Sequence, residues 1–292
     1  MNKITYFLLV LAMITWGETW VSAKILGNYL SADELIFWRF FFTTIGMIVV
    51  LILLKIDMKE SKKEIFIALI SAILLSLYNK FFFLGTKYGL ASFGGVFVTV
   101  MNPIFTFLFI SLLYKTLIDK VEKVGLLLGM LGGAFMLKIW NLNFEIFSLG
   151  NIYFLLAALT WPILTITSGK QNMKSAILFS FYMFLFTTII QLILIDFNIT
   201  NIFKFDFKFW INILILSLWG TTFATTVYFY TVDKLGSKIA SSFFFLVPLS
   251  AIIFSKVFLK ENITLPLIIG GFLGLIAVYI LNSRKKVAIN KK

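Results

Sequence analysis

Ten stretches of about 20 mostly apolar residues follow one another along this chain of 292 residues. An α-helix of that length rises about 30 Å, which is the thickness of the hydrocarbon layer of a bilayer. A helix also bonds its backbone polar groups internally, as lipid requires. The pattern therefore predicts an all-α polytopic membrane protein with ten transmembrane helices. These cover roughly residues 4–24, 32–54, 65–88, 92–114, 124–140, 150–168, 175–195, 209–231, 239–259 and 265–282.

Composition excludes several other classes of protein. Hydrophobic residues make up 60% of the chain and charged residues 13%, whereas soluble domains are about 45–50% apolar and about 25% charged. The chain has no Cys and no His, which excludes disulfides and thiolate metal sites and removes the commonest general base. We therefore expect no enzyme activity, no catalytic residues, no bound metal and no cofactor.

The net charge of +13 would suit nucleic acid, but the basic residues lie in loops between apolar stretches. The expected partners are therefore the lipid bilayer and a small-molecule substrate, and not nucleic acid. Most of the Lys and both termini fall on one side of the membrane, which the positive-inside rule assigns to the cytoplasm. We expect a multi-pass protein of the bacterial inner membrane with both termini cytoplasmic.

The chain repeats itself at an offset of 145 residues. Thr15-Trp16 recurs as Thr160-Trp161, and Pro103 recurs as Pro248. These matches predict two five-helix repeats, residues 1–145 and 146–292. Five is odd, so the second repeat enters the membrane from the opposite side. Such a 5+5 inverted-topology repeat places the substrate site of a transporter near the midplane, between the halves.

The residues also resemble a known family. The 5+5 helices, Trp16-Gly17 in the first helix, Arg39 in the second, Pro103 and Pro248 in the fourth and ninth, and Glu261 resemble the EamA family of the drug/metabolite transporter superfamily. The resemblance implies a central cavity lined chiefly by helices 1, 3, 4, 6, 8 and 9. It also implies that transport proceeds by alternating access.

Ionisable residues inside the apolar stretches are the first candidates for a site, because a charge in the hydrocarbon layer costs at least about 2.5–3.5 kcal/mol. At 1.5 Å per residue, Glu18, Arg39 and Lys80 lie at a similar depth, close enough to pair or to share a ligand. One carboxylate cannot neutralise two cations, so we expect Arg39 and Lys80 to bind an anionic group. Glu18 could be a counter-ion that locks helices 1 to 3 together, a ligand of an ammonium group, or a proton carrier.

Other polar and aromatic residues recur on the helix faces expected to line a cavity. Pro103 and Pro248 free backbone carbonyls, which suits either gating or structural kinks. The pairs Gly125/Gly129 and Gly270/Gly274 permit close contact of helices 5 and 10, inside one chain or in a homodimer. The further candidates for substrate binding are Asn79, Thr99, Asn102, Trp161, Thr225 and Tyr228.

These features favour a secondary transporter that moves a small anionic or zwitterionic metabolite by alternating access. An amino acid or a related compound is the favoured class, with its carboxylate on Lys80 and Arg39. Metabolite export is one use of such a protein, and the sequence leaves export and import open. The alternatives are a cation or drug exporter and a lipid-linked sugar flippase on the same fold. A membrane-embedded enzyme would lack an evident acid/base pair, and a structural role would leave the charges unexplained.

Overall fold

The computed structural model describes residues 3–115, 118–141 and 148–282, and these residues form helices and no strand. Ten rods follow the chain in order, and we number them α1 to α10. Two of them, α8 and α9, are interrupted by short stretches of different helical geometry. The rods are α1 Lys3–Leu26, α2 Ala32–Leu53, α3 Lys62–Tyr88, α4 Ala91–Tyr114, α5 Lys120–Leu137, α6 Leu149–Ser168, α7 Ala176–Leu194, α8 Phe207–Leu235, α9 Ser237–Leu259 and α10 Leu265–Asn282.

The predicted fold class is confirmed, and the ends of the helices follow from local chemistry. Ser31 caps α2 and forms a reciprocal capping box with Glu34, and Asp119 does the same for α5 with Glu122. Because Asp119 caps α5, that helix starts four residues before its predicted position. Gly236, with a φ of 85°, separates α8 from α9, a backbone conformation that glycine adopts without strain.

The described helices differ in whether their length and apolar composition are sufficient to cross a membrane. Eight of them are long and apolar enough to cross a membrane. In α10 the apolar part is shorter, Leu265–Ala277, and α5 carries charged residues in its first turn. These two helices pack against each other. We call the membrane side at which α1 begins the near side, and the opposite one the far side.

The packing of the helices has approximate two-fold symmetry. Exchanging α1–α5 with α6–α10 turns the α1/α9 contact into the α6/α4 contact, and the α3/α6 contact into the α8/α1 contact. The α2/α7 and α5/α10 contacts map onto themselves. Each repeat has five helices, so the second crosses the membrane in the opposite sense. The two halves thus enclose a central space between them.

Glycine allows the α5/α10 contact to be close. A Cβ on Gly132 would lie 2.8 Å from the carbonyl oxygen of Gly270, and a Cβ on Gly270 would lie 2.5 Å from that of Gly132. Gly125, Gly129 and Gly274 are also buried. This contact lies within one chain, and a homodimer through the same helices stays a prediction.

Two helices depart from α geometry beside the central space. In α8, Ile215–Phe223 is a π-helix, a form that recurs at functional sites. In α9, a 3-10 turn at Phe243–Leu246 precedes Pro248. Proline has no N–H to bond the carbonyl of Phe244, and the N–H of Val247 bonds that carbonyl instead. A gating role for Pro248, or for Pro103 inside α4, stays a prediction.

Candidate functional site

A cavity lies between the two halves, at the centre of the helix bundle. Its volume is about 30 Å³ in this conformation. Helices α1, α3, α4, α6, α8 and α9 line it, and α2 contributes as well. The lining residues are Trp16, Thr19, Trp20, Arg39, Phe40, Leu75, Tyr78, Asn79, Phe82, Thr99, Trp161, Thr221, Thr225 and Phe244.

Arg39 provides the positive charge of the cavity. It lies about two turns from the far-side end of α2 and is 6% exposed. Its Nε donates to Thr221 Oγ1 at 2.8 Å, and its Nη1 donates to Asn79 Oδ1 at 2.7 Å. The rings of Phe40 and Phe82 lie 5.6 and 5.7 Å from its guanidinium carbon. Arg39 thus joins α2 to both α3 and α8.

The π-helix contributes to the placement of Arg39. The Thr221 hydroxyl that accepts from Arg39 donates to the carbonyl of Leu216, five residues back along α8. On the opposite wall, Trp16 Nε1 donates to the carbonyl of Gly220 at 2.9 Å. The irregular segment of α8 therefore bonds both Arg39 and α1.

The guanidinium of Arg39 has N–H donors that Asn79 and Thr221 do not use. It carries five N–H donors, and two of them are used by Asn79 and Thr221. No carboxylate contacts Arg39 in the described parts of the chain. The buried positive charge is therefore held by neutral groups and aromatic faces alone. This arrangement can bind an anion through charge-assisted hydrogen bonds.

Four aromatic rings close the opposite end of the cavity. Trp16, Trp161, Tyr228 and Phe244 form a tetrad in which all six ring-centroid distances fall between 5.0 and 5.8 Å. Tyr78 packs edge-on against Trp161 at 4.5 Å. Three members of the tetrad lie about two turns from the near-side ends of their helices. The cavity therefore has a cationic pole toward the far side and an aromatic pole toward the near side.

The tetrad also shows how symmetry and chemistry differ in this site. Trp16 and Trp161, which the 145-residue repeat makes equivalent, meet at 5.4 Å in an edge-on contact. By the same offset, Arg39 corresponds to Phe184, which packs on Phe40 at 5.7 Å. The halves match at this pair of Trp residues, but the charge belongs to the first half only.

Lys80 does not join this site. Its ammonium pairs with Asp33, at the far-side start of α2, and its side chain is 36% exposed. Lys80 follows Asn79 by one position, and a helix turns about 100° per residue, so the two side chains point in different directions. The prediction that Lys80 and Arg39 lie together on one ligand is wrong in its geometry. Among the described residues that line the cavity, the unpaired cation is Arg39.

Glu18 is also separate from Arg39 and Lys80. Its Oε1 lies within hydrogen-bond distance of Ser22 Oγ, at 2.7 Å, and its buried Oε2 has no hydrogen-bond partner in the described part of the chain. Ser22 contacts Asn212 Oδ1 of α8 at 2.9 Å. The predicted cluster of three charges is therefore wrong. Glu18 faces α8, while Trp16, Thr19 and Trp20 turn the other side of α1 to the cavity.

The remaining predicted site residues divide into two groups. Asn79, Thr99, Trp161 and Thr225 line the cavity with Arg39. Tyr228 stands behind that surface in the tetrad, and its hydroxyl bonds Thr165 at 2.8 Å. Asn102 is fully buried, and neither polar atom of its side chain has a hydrogen-bond partner among the described residues. That any of these residues binds substrate stays a prediction.

Several lining residues escaped the choice of candidates from sequence. Thr19, Trp20, Tyr78 and Phe82 line the cavity, and none of them is among the site residues predicted from the sequence. A signal did exist in α1. Trp16, Thr19 and Trp20 are three and four residues apart, so they share one helix face.

At the far-side ends of the helices, Glu261 and Lys24 hold the turn between α3 and α4. Glu261 accepts from the backbone N–H groups of Ala91 and Ser92, at 3.1 and 2.9 Å. It thus caps α4, whose own cap residue, Leu90, makes no side-chain bond. Lys24 donates to the carbonyls of Thr86 and Gly89. In the described residues, no group of carboxylates could hold a metal ion.

Comparison with known proteins gives a consistent result. The model of the EamA-like transporter family matches residues 3–138 and again 148–283. The uncharacterized transporter YvbV of Bacillus subtilis (strain 168) is 26% identical over 99% of this chain and 96% of its own length. An uncharacterized transporter of Archaeoglobus fulgidus is 24% identical over 98% and 99%.

A solved structure agrees with the fold. One crystal structure of another protein superposes with a TM-score of 0.72, covering 97% of this chain and 98% of that one, at 12% sequence identity. At that identity the likeness shows the arrangement of the helices and nothing about the ligand.

Proposed function

Because the chain belongs to the EamA-like transporter family, part of the drug/metabolite transporter superfamily, we propose that it moves a small anionic or zwitterionic metabolite by alternating access. An amino acid or a related compound is the favoured class. The observation that carries the proposal is the buried guanidinium of Arg39, which lines the cavity and contacts no carboxylate of the described residues. A buried charge is costly unless it is paired, and a carboxylate on the substrate would pair with it.

The aromatic pole supports a substrate with an apolar part. Tyr78, Trp161 and Phe244 present ring faces and edges to the cavity. They can pack on an apolar side chain, and their faces also attract an ammonium group. A substrate with its carboxylate on Arg39 would point its body toward the near side.

The same observations weigh against a cation exporter. Glu18 faces α8, and no Asp or Glu is among the described residues that line the cavity. A cationic drug would meet Arg39 with no carboxylate in the described lining to balance the repulsion.

Alternating access is supported by contacts at both ends of the molecule. On the far side, Glu261 holds the first turn of α4. On the near side, Ser237 Oγ at the start of α9 donates to the carbonyl of Thr165 near the end of α6, at 3.1 Å. Because the halves are related by two-fold symmetry, opening one end and closing the other needs only a tilt of one half. We place the near side in the cytoplasm of a bacterial cell, since most Lys residues lie there.

A binding screen tests the proposal. Purified protein is heated with amino acids, carboxylates without an amine, and amines, and ligands that raise the melting temperature are titrated by calorimetry. We expect the ligands to carry an anionic group. Hydrogen bonds to charged groups contribute about 1.5–3 kcal/mol, so Arg39→Met should weaken binding at least about tenfold.

Lys80→Met is the matched control, because Lys80 pairs with Asp33 outside the cavity. It should bind the same ligand with wild-type affinity. If Arg39→Met binds normally, or if only amines bind, the anion site is wrong. If Lys80→Met loses binding while Arg39→Met keeps it, the ligand lies elsewhere.

A further inference from the structure

The contact between α1 and α8 contains a short chain of hydrogen-bonding groups. Ser22 Oγ lies 2.7 Å from Glu18 Oε1 and 2.9 Å from Asn212 Oδ1. Asn212 Nδ2 donates to the carbonyl of Lys208 at 2.7 Å. That last bond fixes which end of the Asn212 amide faces Ser22, because a flipped amide would bring two oxygens together at Lys208.

The number of hydrogens available to these groups decides whether Glu18 carries a proton. A serine hydroxyl has one hydrogen, and here two oxygens lie within bonding distance of Ser22 Oγ. Asn212 Oδ1 can only accept. One contact would therefore lack a hydrogen if Glu18 were ionised. With a proton on Glu18, the carboxyl donates to Ser22, Ser22 donates to Asn212, and every contact carries one hydrogen.

The electrostatic surroundings agree with a neutral carboxyl. In the described residues no cation contacts Glu18, and its Oε2 is buried without a partner, which would be costly for a charged oxygen. Ser22 is fully buried and Asn212 is 7% exposed. The charged and titratable groups of α1 and of the neighbouring elements do not bond Glu18. Those that bond other residues are Lys24 (carbonyls of Thr86 and Gly89), Arg39 (Asn79 and Thr221), Lys80 (Asp33), Lys238 (Glu122), Tyr228 (Thr165), Tyr29 (Asp206) and Glu261 (Ala91 and Ser92). Lys87, Lys208, Lys256 and Tyr114 are exposed, and Tyr78 lines the cavity.

We propose that Glu18, Ser22 and Asn212 form a proton-binding site apart from the substrate cavity, occupied by a proton on Glu18 in this conformation. The site lies near the far-side end of α8, since Lys208 is the second residue of that helix. Release of the proton leaves a carboxylate that takes the single Ser22 hydrogen, and Asn212 Oδ1 loses its donor. One bond between α1 and α8 is then lost.

The proton site and the cavity share α1. Trp16 and Thr19 line the cavity, and Gly220 lies so close to α1 that a Cβ on it would sit 2.3 Å from Thr19 Cγ2. A change in the α1/α8 contact at Ser22 therefore reaches the cavity wall directly. Coupling of a proton to transport rests on the proposed function, whereas the proton site itself can be tested without any substrate.

Infrared spectroscopy of the purified protein in lipid tests the assignment, because a protonated carboxyl gives a carbonyl band that a carboxylate lacks. We expect such a band at neutral pH, its loss in Glu18→Gln, and a shift of its frequency in Ser22→Ala, which removes the acceptor. Glu64→Gln is the matched control. Glu64 is another buried carboxyl, but it accepts a backbone N–H from Asn172, and its removal should leave the band unchanged.

Three results overturn the proposal. The band is absent from the wild-type protein at neutral pH, or it persists in Glu18→Gln, or it is lost when sodium is added at constant pH. The last result would assign the three oxygens to a sodium ion. If Glu18→Gln does not fold, Ser22→Ala decides alone, since an unshifted band contradicts the bond from Glu18. None of these outcomes depends on Arg39, so failure here leaves the anion site intact.

Discussion

The sequence predicted the depth of Arg39 in the membrane but not its contacts. The depth follows from the position in the helix, because the rise per residue is constant. The contacts could not be predicted, since Thr221 reaches Arg39 from a π-helix. Lys80 was misplaced for the same reason: its partner Asp33 stands at the start of another helix.

Glu18 could have been placed better from sequence. At about 100° per residue, Glu18 lies about 200° around α1 from Trp16, so the two cannot face the same space. The structure separates them, with Trp16 at the cavity and Glu18 at α8.

At the residue scale, Thr221→Val tests whether the support of Arg39 matters for binding. The change keeps the shape of the side chain and removes the oxygen that accepts from Arg39 Nε. Left without its partner, the guanidinium should lose its fixed position, and ligand affinity measured by calorimetry should fall about tenfold. Thr222→Val is the control, because Thr222 bonds carbonyls of Ser217 and Thr43 and does not line the cavity. Equal affinities for the two variants would remove Thr221 from the site.

At the scale of elements, the sequence predicted the helices well and their irregular parts poorly. Polar caps such as Ser31, Asp119 and Asp206 set the ends of helices, and such signals can be read directly. Pro248 predicted a carbonyl without its helical N–H partner, and the structure has a 3-10 turn just before that proline. Nothing in the apolar pattern of α8 indicates a π-helix, and the contacts of that segment with Arg39 and Trp16 come from other helices.

Gly220 in the π-helix provides a test of the α1/α8 contact. In Gly220→Ala the new Cβ would lie 2.3 Å from Thr19 Cγ2, so one helix must shift. We expect a loss of about 1–3 kcal/mol of stability, typical of an overpacked core, seen as a lower melting temperature.

Gly271→Ala is the comparison for that measurement. Its Cβ would have Ile252 Cδ1 as its nearest neighbour, at 3.9 Å. Alanine is the better helix former, so this variant should melt at or above the wild-type temperature. A similar loss in both variants would mean that the close approach at Gly220 does not limit stability.

At the scale of the whole molecule, the repeat was the most informative signal in the sequence. A single offset predicted five helices per half, and the contacts between helices obey the corresponding exchange. The halves nevertheless share few residues at the site. Symmetry therefore predicted where the cavity lies, and its chemistry had to come from the structure.

The orientation of the molecule can be measured on a clean background, because the chain has no Cys. Lys59, on the near side, and Asn201, on the far side, are both exposed. In intact cells, a reagent that cannot cross the membrane should label Asn201→Cys and not Lys59→Cys. Labelling of Lys59→Cys alone would reverse the orientation that we propose.

The most direct test of the account is the position of a bound ligand. The protein is to be solved in complex with the tightest ligand from the binding screen. The account predicts that the anionic group of this ligand lies within hydrogen-bond distance of the free N–H groups of Arg39, about 2.7–3.2 Å, with its body toward Trp161 and Phe244. A ligand bound in the cavity without contact to Arg39, or bound outside the cavity, would contradict it.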